Sequence, residues 1–237
     1  MSDSSNNRDD FRKRMQRLRH PAWLGTLRKT RPLSDHWGFD RGTPIDRFYI
    51  ERFLDEHRND ITGHVLEIKD NAYTDRFGTG VTRRDVLDVD PENESATIFA
   101  DLADAGQIAS DRFDCFILTQ TLQLIYDVHA AVKHAHRILR PGGVLLVTVP
   151  VISRLATRYG LESDYWRFTP ASSRKLFGDV FGSNRVTVQA HGNVLTGIAF
   201  LAGMAREELS GRDLEVDDPY FPLIVTVRAV KQDANAR

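Results

Sequence analysis

Short apolar runs alternate with stretches of helical periodicity along most of the chain. HVLEI (64–68), RDVLDVD (84–90), SATIFADL (95–102), RFDCFILTQ (112–120), VLLVTVP (144–150), RVTVQ (185–189) and PLIVTVRAV (222–230) read as strands separated by turn signals. The fourth is almost continuously apolar, as expected for a central parallel strand covered on both faces. Between the strands, Thr43 is placed to cap a helix with Pro44 in its first turn and Asp46 three residues after the cap, and Ile45, Tyr49 and Phe53 line one face. A second helix spans about Val128 to Leu139, with Ala131, Ala135, Ile138 and Leu139 apolar and RPGG stopping it. Thr169 and Pro170 open a third, and a fourth lies around Val194 to Glu208. Strands alternating with helices through right-handed crossovers imply an α/β, Rossmann-like doubly wound sheet, mostly parallel, whose last strand returns antiparallel.

At 237 residues the chain is long enough for one substantial core. The expected organisation is a basic N-terminal arm (1–34), a main domain (35–231) and a polar tail (232–237). A formal net charge of −1 gives no global reason to expect nucleic-acid binding. The arm is the exception locally: residues 8–31 hold nine Lys or Arg against two Asp, with Phe11, Met15 and Leu18 at helical spacing. A helix packed on the body and a contact with an anionic membrane surface both fit it. Cys115, the single cysteine, rules out an internal disulfide and reads as a buried strand residue; a cytoplasmic location is the default expectation. No apolar run approaches the ~18 residues of a membrane span.

VLEI, the block FDCFILTQTLQLIYDVHAAVKHAHRILRPGGVLLVTVP and the later DYWRFTP together resemble the class I S-adenosylmethionine-dependent methyltransferases, over roughly residues 35–230. The resemblance implies seven strands and S-adenosylmethionine as cofactor. It places Glu67 near the cofactor's amino-acid end, Asp88 or Asp90 on the ribose hydroxyls with Asp90 favoured, Asp101 and Leu102 at the adenine, and Thr119 and Gln120 beside the sulfonium. Each carboxylate also has a purely structural use, as a strand-end ion pair, a turn former or a helix cap.

One stretch departs from the family. Where glycines are usual after the first strand, the chain carries Lys69, Asn71 and Tyr73. Glycine allows a tight turn and close approach to a ligand, yet this cofactor has no pyrophosphate to seat on bare amides. Asp70 or Asn71 would then meet the methionine ammonium and Tyr73 would cover the cofactor. A methyltransferase fold without activity, acting as a binding or scaffold protein through its arm, is the competing expectation.

Transfer from a sulfonium needs alignment more than a covalent nucleophile, and a hydroxyl acceptor gains from a nearby base. His36 and His129 are the candidate bases. Asp40, Arg41, Asp46 and Arg47 crowd a glycine turn that would sit over the crevice, to bind substrate or to pair among themselves. With Gln123, Tyr126 and Tyr165 they favour a small polar acceptor, most of all a hydroxyl of a sugar or related metabolite, and DYWRFTP resembles members acting on such compounds. The histidines at 129, 134 and 136 lack the i, i+4 spacing of a helical metal pair, so no metal is expected.

Overall fold

The computed structural model describes residues 28–156 and 160–233, together with Met15 and Gly25. Most of the basic arm and the end of the tail lie outside the described residues. The strands are β1 (Gly63–Ile68), β2 (Val81–Asp88), β3 (Ile98–Phe99), β4 (Phe113–Thr119), β5 (Leu139–Pro150), β6 (Val186–His191) and β7 (Ile224–Val230). The helices are α1 (Ile45–Glu56), α2 (Ala72–Phe77), α3 (Val128–Ile138), α4 (Pro170–Phe181), α5 (Val194–Leu201) and α6 (Gly211–Glu215). All seven strands form one sheet in the order β3-β2-β1-β4-β5-β7-β6, with β7 antiparallel to both neighbours and the remaining pairs parallel. The doubly wound sheet with an antiparallel last strand is therefore as the pattern implied.

Both faces of the sheet are buried, which is why its central strands are apolar at successive positions. Phe116 and Leu118 of β4 join one core with Ala131, Val132 and Ala135 of α3 and Phe177 of α4. Cys115 and Ile117 join the other, with Ile45, Tyr49 and Phe53 of α1. Burial pushes the Cys115 thiol far up, leaving an inert core side chain. Fully burying one such large apolar side chain contributes roughly 1.5–3 kcal/mol.

Four local expectations need correction. Thr43 does not cap α1: its hydroxyl donates to Glu207 at 2.7 Å, and Pro44 occupies the cap position without a side-chain bond. The third strand shrinks to two residues, because the carboxylate of Asp101 turns the chain by accepting from Ala103 N–H at 2.8 Å. RPGG ends α3 but runs on within β5, where a Cβ on Gly143 would stand 2.8 Å from the Arg140 carbonyl and 3.0 Å from that of Phe113. The fourth helix ends at Leu201, and Gly203 (φ +74°) packs against Ser34 before a single 3₁₀ turn over Arg206–Glu208.

Candidate active site

The carboxyl ends of β1 to β5 open beneath the segment that enters α1, enclosing a cavity of about 1120 Å³. Such a crevice is where doubly wound sheets bind ligands. Glu67, Asp70 and Tyr73 line it from the β1 end, Asp88 from β2, Asp101 and Leu102 from the turn after β3, and Thr119 and Gln120 from β4. Asp46, Arg47, Gln123, Tyr126 and Tyr165 are also on its wall. Asn71, Asp90, Asp40 and Arg41 are not among the residues that line it.

The β1 loop is shaped by side chains. Lys69 adopts φ +72°, a left-handed conformation that normally favours glycine. The buried Glu67 carboxylate accepts from the backbone N–H groups of Tyr73 at 3.0 Å and Thr74 at 2.7 Å, so it holds the start of α2. Burial raises its pKa to about 7 against the pull of those bonds. Asp70 takes the Ala72 N–H at 3.0 Å. Tyr73 accepts from Arg47 Nη1 at 3.0 Å, and burial pushes its phenol up to about 12.

At the end of β2, Asp88 accepts from Val89 N–H at 2.7 Å, Asp90 N–H at 3.1 Å and Asn93 Nδ2 at 2.7 Å. Asp90 instead holds the turn by accepting from Glu92 N–H at 3.1 Å. The geometry thus puts Asp88 on the wall and Asp90 off it, contrary to the preference for Asp90. The strand ends at Asp88, and the chain has already turned two residues later.

The FDRGTPIDR segment divides. Asp40 receives a short hydrogen bond from Ser34, which heads the causes of its lowered pKa. Arg41 pairs with Glu208, and Thr43 N–H and Oγ1 both donate to Glu207. Gly38 (φ +88°) packs so closely on Met204 that a Cβ would stand 2.6 Å from its carbonyl oxygen. These contacts weld residues 34–43 to 203–208, and Asp40 and Arg41 are consumed by them rather than offered to a ligand. Asp46 and Arg47 do face the cavity. The protein around Asp46 raises its pKa to about 6, against the opposing charge of Arg47.

Neither candidate histidine base reaches the cavity wall. His36 is exposed in the turn before Trp37, and His129 points to solvent at the start of α3, whose core face is set by Ala131, Val132 and Ala135. Helical phase puts position 129 outside that face.

DYWRFTP acts largely as a clamp. Asp164, with its side chain 2 % exposed, pairs with Arg167 at 2.5 Å and accepts from Ala156 N–H at 2.8 Å. Tyr165 and Trp166 N–H both donate to the Gln123 carbonyl, Phe168 N–H to that of Pro150, and Thr169 caps α4 with Pro170 behind it. The loops after β4 and β5 are thereby tied together at one end of the cavity. Trp37, Phe39, Ser153 and Arg154 line the wall too and were not singled out from the sequence. Arg154 had a usable signal, since it lies four residues beyond the carboxyl end of β5.

The comparisons agree with this fold. The family model described as a methyltransferase domain matches residues 29–177, more than half of the chain. The chain belongs to that family, and S-adenosylmethionine is its cofactor. Among solved structures, a SAM-dependent methyltransferase from Archaeoglobus fulgidus shares the fold with TM-score 0.52 and 12 % identity, over 78 % of this chain and 94 % of that one. A phosphoethanolamine N-methyltransferase from Haemonchus contortus, solved with phosphomonomethylethanolamine and S-adenosylhomocysteine, gives TM-score 0.51 and 12 % identity over 80 % of this chain and 58 % of that one. The [4+2]-cyclase SpnF gives 0.52 and 12 % over 87 % and 88 %. A comparison with curated proteins gave no match.

Proposed function

We propose that this methyltransferase acts on a small polar acceptor, a hydroxyl of a sugar or related metabolite ahead of an amine. The observation that carries the reading is a single cavity joining the carboxylate-bearing ends of β1 to β3 to a polar, aromatic end formed by Trp37, Tyr126 and Tyr165. Rings of this kind offer an apolar face and, in tyrosine, a hydroxyl, which suits a compact polyhydroxylated ligand.

The residues present fit the cofactor. Asp88 would take a ribose hydroxyl at Oδ2, which accepts only from Asn93 Nδ2, whereas Oδ1 already accepts from the Val89 and Asp90 N–H groups. Asp101 and the Leu102 amide would meet the adenine. Asp70 would take the ammonium and Arg47 the carboxylate of the amino-acid end, while Thr119 and Gln120 lie alongside. When bound, S-adenosylmethionine supplies an activated methyl group on its sulfonium. The chain must add alignment, exclusion of water and an acceptor for the hydroxyl proton.

Asp46 is the group we assign to that proton, in place of His36 and His129. It is on the wall and no described side chain donates a hydrogen bond to it, whereas Glu67 is spent on α2. With its pKa near 6, it is ionised at neutral pH and remains a useful base. The test is methyl transfer from labelled cofactor to a panel of sugars, their nucleotide conjugates and amines. A sugar acceptor is expected, with kcat/KM rising through about pH 6 and Asp46→Asn lowering turnover by roughly 10²-fold or more. Transfer to amines alone would refute the acceptor class, and an unaltered pH profile in Asp46→Asn would refute the base.

A further inference from the structure

The loop after β5 presents an arginine for which the methyl-transfer reading has no use. The Arg154 guanidinium carbon lies 4.3 Å from the centroid of the Trp37 ring, and both residues line the cavity. A ring covering one face of a guanidinium holds it by cation–π attraction and leaves the edge N–H groups free to donate. Other arginines around the molecule are spoken for: Arg41 pairs with Glu208, Arg76 with Glu51, Arg84 with Asp75 and Arg167 with Asp164. Among the described residues no carboxylate lies within ion-pair distance of Arg154.

Its position is fixed from both sides. The Arg154 carbonyl accepts from Arg167 Nη2 at 3.0 Å, and Ala156 N–H donates to Asp164, so the clamp sets the backbone that carries the guanidinium. On the other side Trp37 sits in the turn organised by Ser34, whose oxygen accepts from His36 N–H at 3.0 Å and Gly38 N–H at 3.1 Å. Two of the acids that line the cavity near it are already engaged: Asp164 by Arg167, and Asp127 as the cap of α3, accepting from Ala130 N–H at 2.9 Å. A pre-placed cation with a free donor edge is the arrangement that recognises a planar or tetrahedral oxyanion.

We propose that Arg154 is a specificity residue that anchors an oxyanion of the acceptor, a carboxylate or a phosphate. The proposal deepens the reading above and rests on it for the identity of this end of the cavity as the acceptor end. The cofactor's own carboxylate is not the ligand meant: Arg47, which touches Tyr73 of the β1 loop, is the cation on that side.

The test titrates the full chain with inorganic phosphate and, separately, with acetate at constant ionic strength, with and without saturating S-adenosylhomocysteine, following indole fluorescence. A saturable response is expected for at least one anion, and the preferred one identifies the acceptor group as phosphate or carboxylate. Arg154→Gln should weaken that anion at least tenfold and Arg154→Lys less, while both keep S-adenosylhomocysteine affinity within about twofold. The absence of a saturable response to either anion, or an equal response in Arg154→Gln, overturns the proposal. A tenfold loss of S-adenosylhomocysteine affinity in Arg154→Gln also overturns it, by assigning the arginine to the cofactor. Failure of the unmutated chain to bind S-adenosylhomocysteine counts against the cofactor assignments, and the anion titration without it still decides Arg154.

Discussion

Replacing Asp164 with Ala removes the carboxylate that braces the loop after β5 from within. Its side chain is 2 % exposed and accepts from Arg167 Nη1 at 2.5 Å, Arg167 Nη2 at 3.1 Å and Ala156 N–H at 2.8 Å. Removing one partner of a buried ion pair typically costs about 3–5 kcal/mol. Arg167 keeps 26 % of its side chain exposed, so water can take over part of its solvation. The expected loss is therefore nearer ~2–3 kcal/mol, a fall in Tm of roughly 5–10 °C for a chain of this size. Asp164→Asn retains an acceptor for Ala156 and should lose about half as much. Burial acts to raise the Asp164 pKa, but the bonds from Arg167 and Ala156 outweigh it and the net shift is downward. The stabilisation is thus complete above the ordinary aspartate value of about 3.9 and is lost as pH falls through the lower folded value. Calorimetry across that range, with hydrogen exchange on residues 151–156, reads both effects. A Tm within 2 °C of the unmutated chain and unchanged exchange in this loop would show that the clamp does not hold it.

Glu67→Gln should change the pH dependence of stability in the opposite sense. The folded pKa is raised to about 7, so this group lowers unmutated stability by roughly 3 kcal/mol as pH rises from about 4.5 to 7, and the variant should lose that share, keeping below about pH 6 the slope that the raised Asp46 adds; an unchanged slope between about pH 6 and 7 in chemical denaturation curves would refute it. Asp85, buried and accepting from His64 Nε2 at 2.8 Å, Thr97 Oγ1 at 3.0 Å and Arg112 Nη2 at 2.5 Å, is off the cavity wall. Asp85→Ala should cost about 3 kcal/mol by thermal melting while S-adenosylhomocysteine affinity, measured well below the melting range, stays within twofold. His36→Ala and His129→Ala should each leave turnover within about twofold, and a drop of tenfold or more in either would restore a histidine to the reaction.

What could be read from the sequence was whatever depends on period and burial. The apolar runs of β4 and β5 are buried on both sides of the sheet, so their identity does not depend on fine register. β7 returns antiparallel to β6, the strand before it, and lies between it and β5. Sites at strand ends are harder, because a shift of two residues moves a carboxylate from the wall to the turn, as with Asp88 and Asp90. Helical phase alone removes His129 from the crevice. Arg41 is separated from Asp46 and Arg47 by its pairing with Glu208, 167 residues away in sequence, which no local pattern encodes, and Asp40 by the bond it accepts from Ser34. Trp37 was missed because its meaning lies in meeting Arg154, which its place just beyond β5 did mark.

The glycine-poor loop shows how a shape usually granted by backbone freedom can be imposed by side chains. A non-glycine residue in the left-handed region costs roughly 1–2 kcal/mol, and Lys69 sits there at φ +72°. Its N–H donates to the Leu87 carbonyl at 3.0 Å, and its carbonyl accepts from Asn93 Nδ2 at 2.6 Å. The same Asn93 amide bonds Asp88, tying the loop after β1 to the carboxylate proposed for the ribose. Asp70 and Glu67 then take the amides of Ala72, Tyr73 and Thr74. The backbone donors that a pyrophosphate would need at the start of α2 are thus already satisfied from within the chain. What remains turned toward the cavity is a set of side chains, Asp70, Tyr73 and Arg47, with an acid for an ammonium and a guanidinium for a carboxylate. Such a loop is poorly made for a dinucleotide, and on the proposed roles of these side chains the loss of glycine would narrow the ligand class to a zwitterionic amino-acid end instead of abolishing the site.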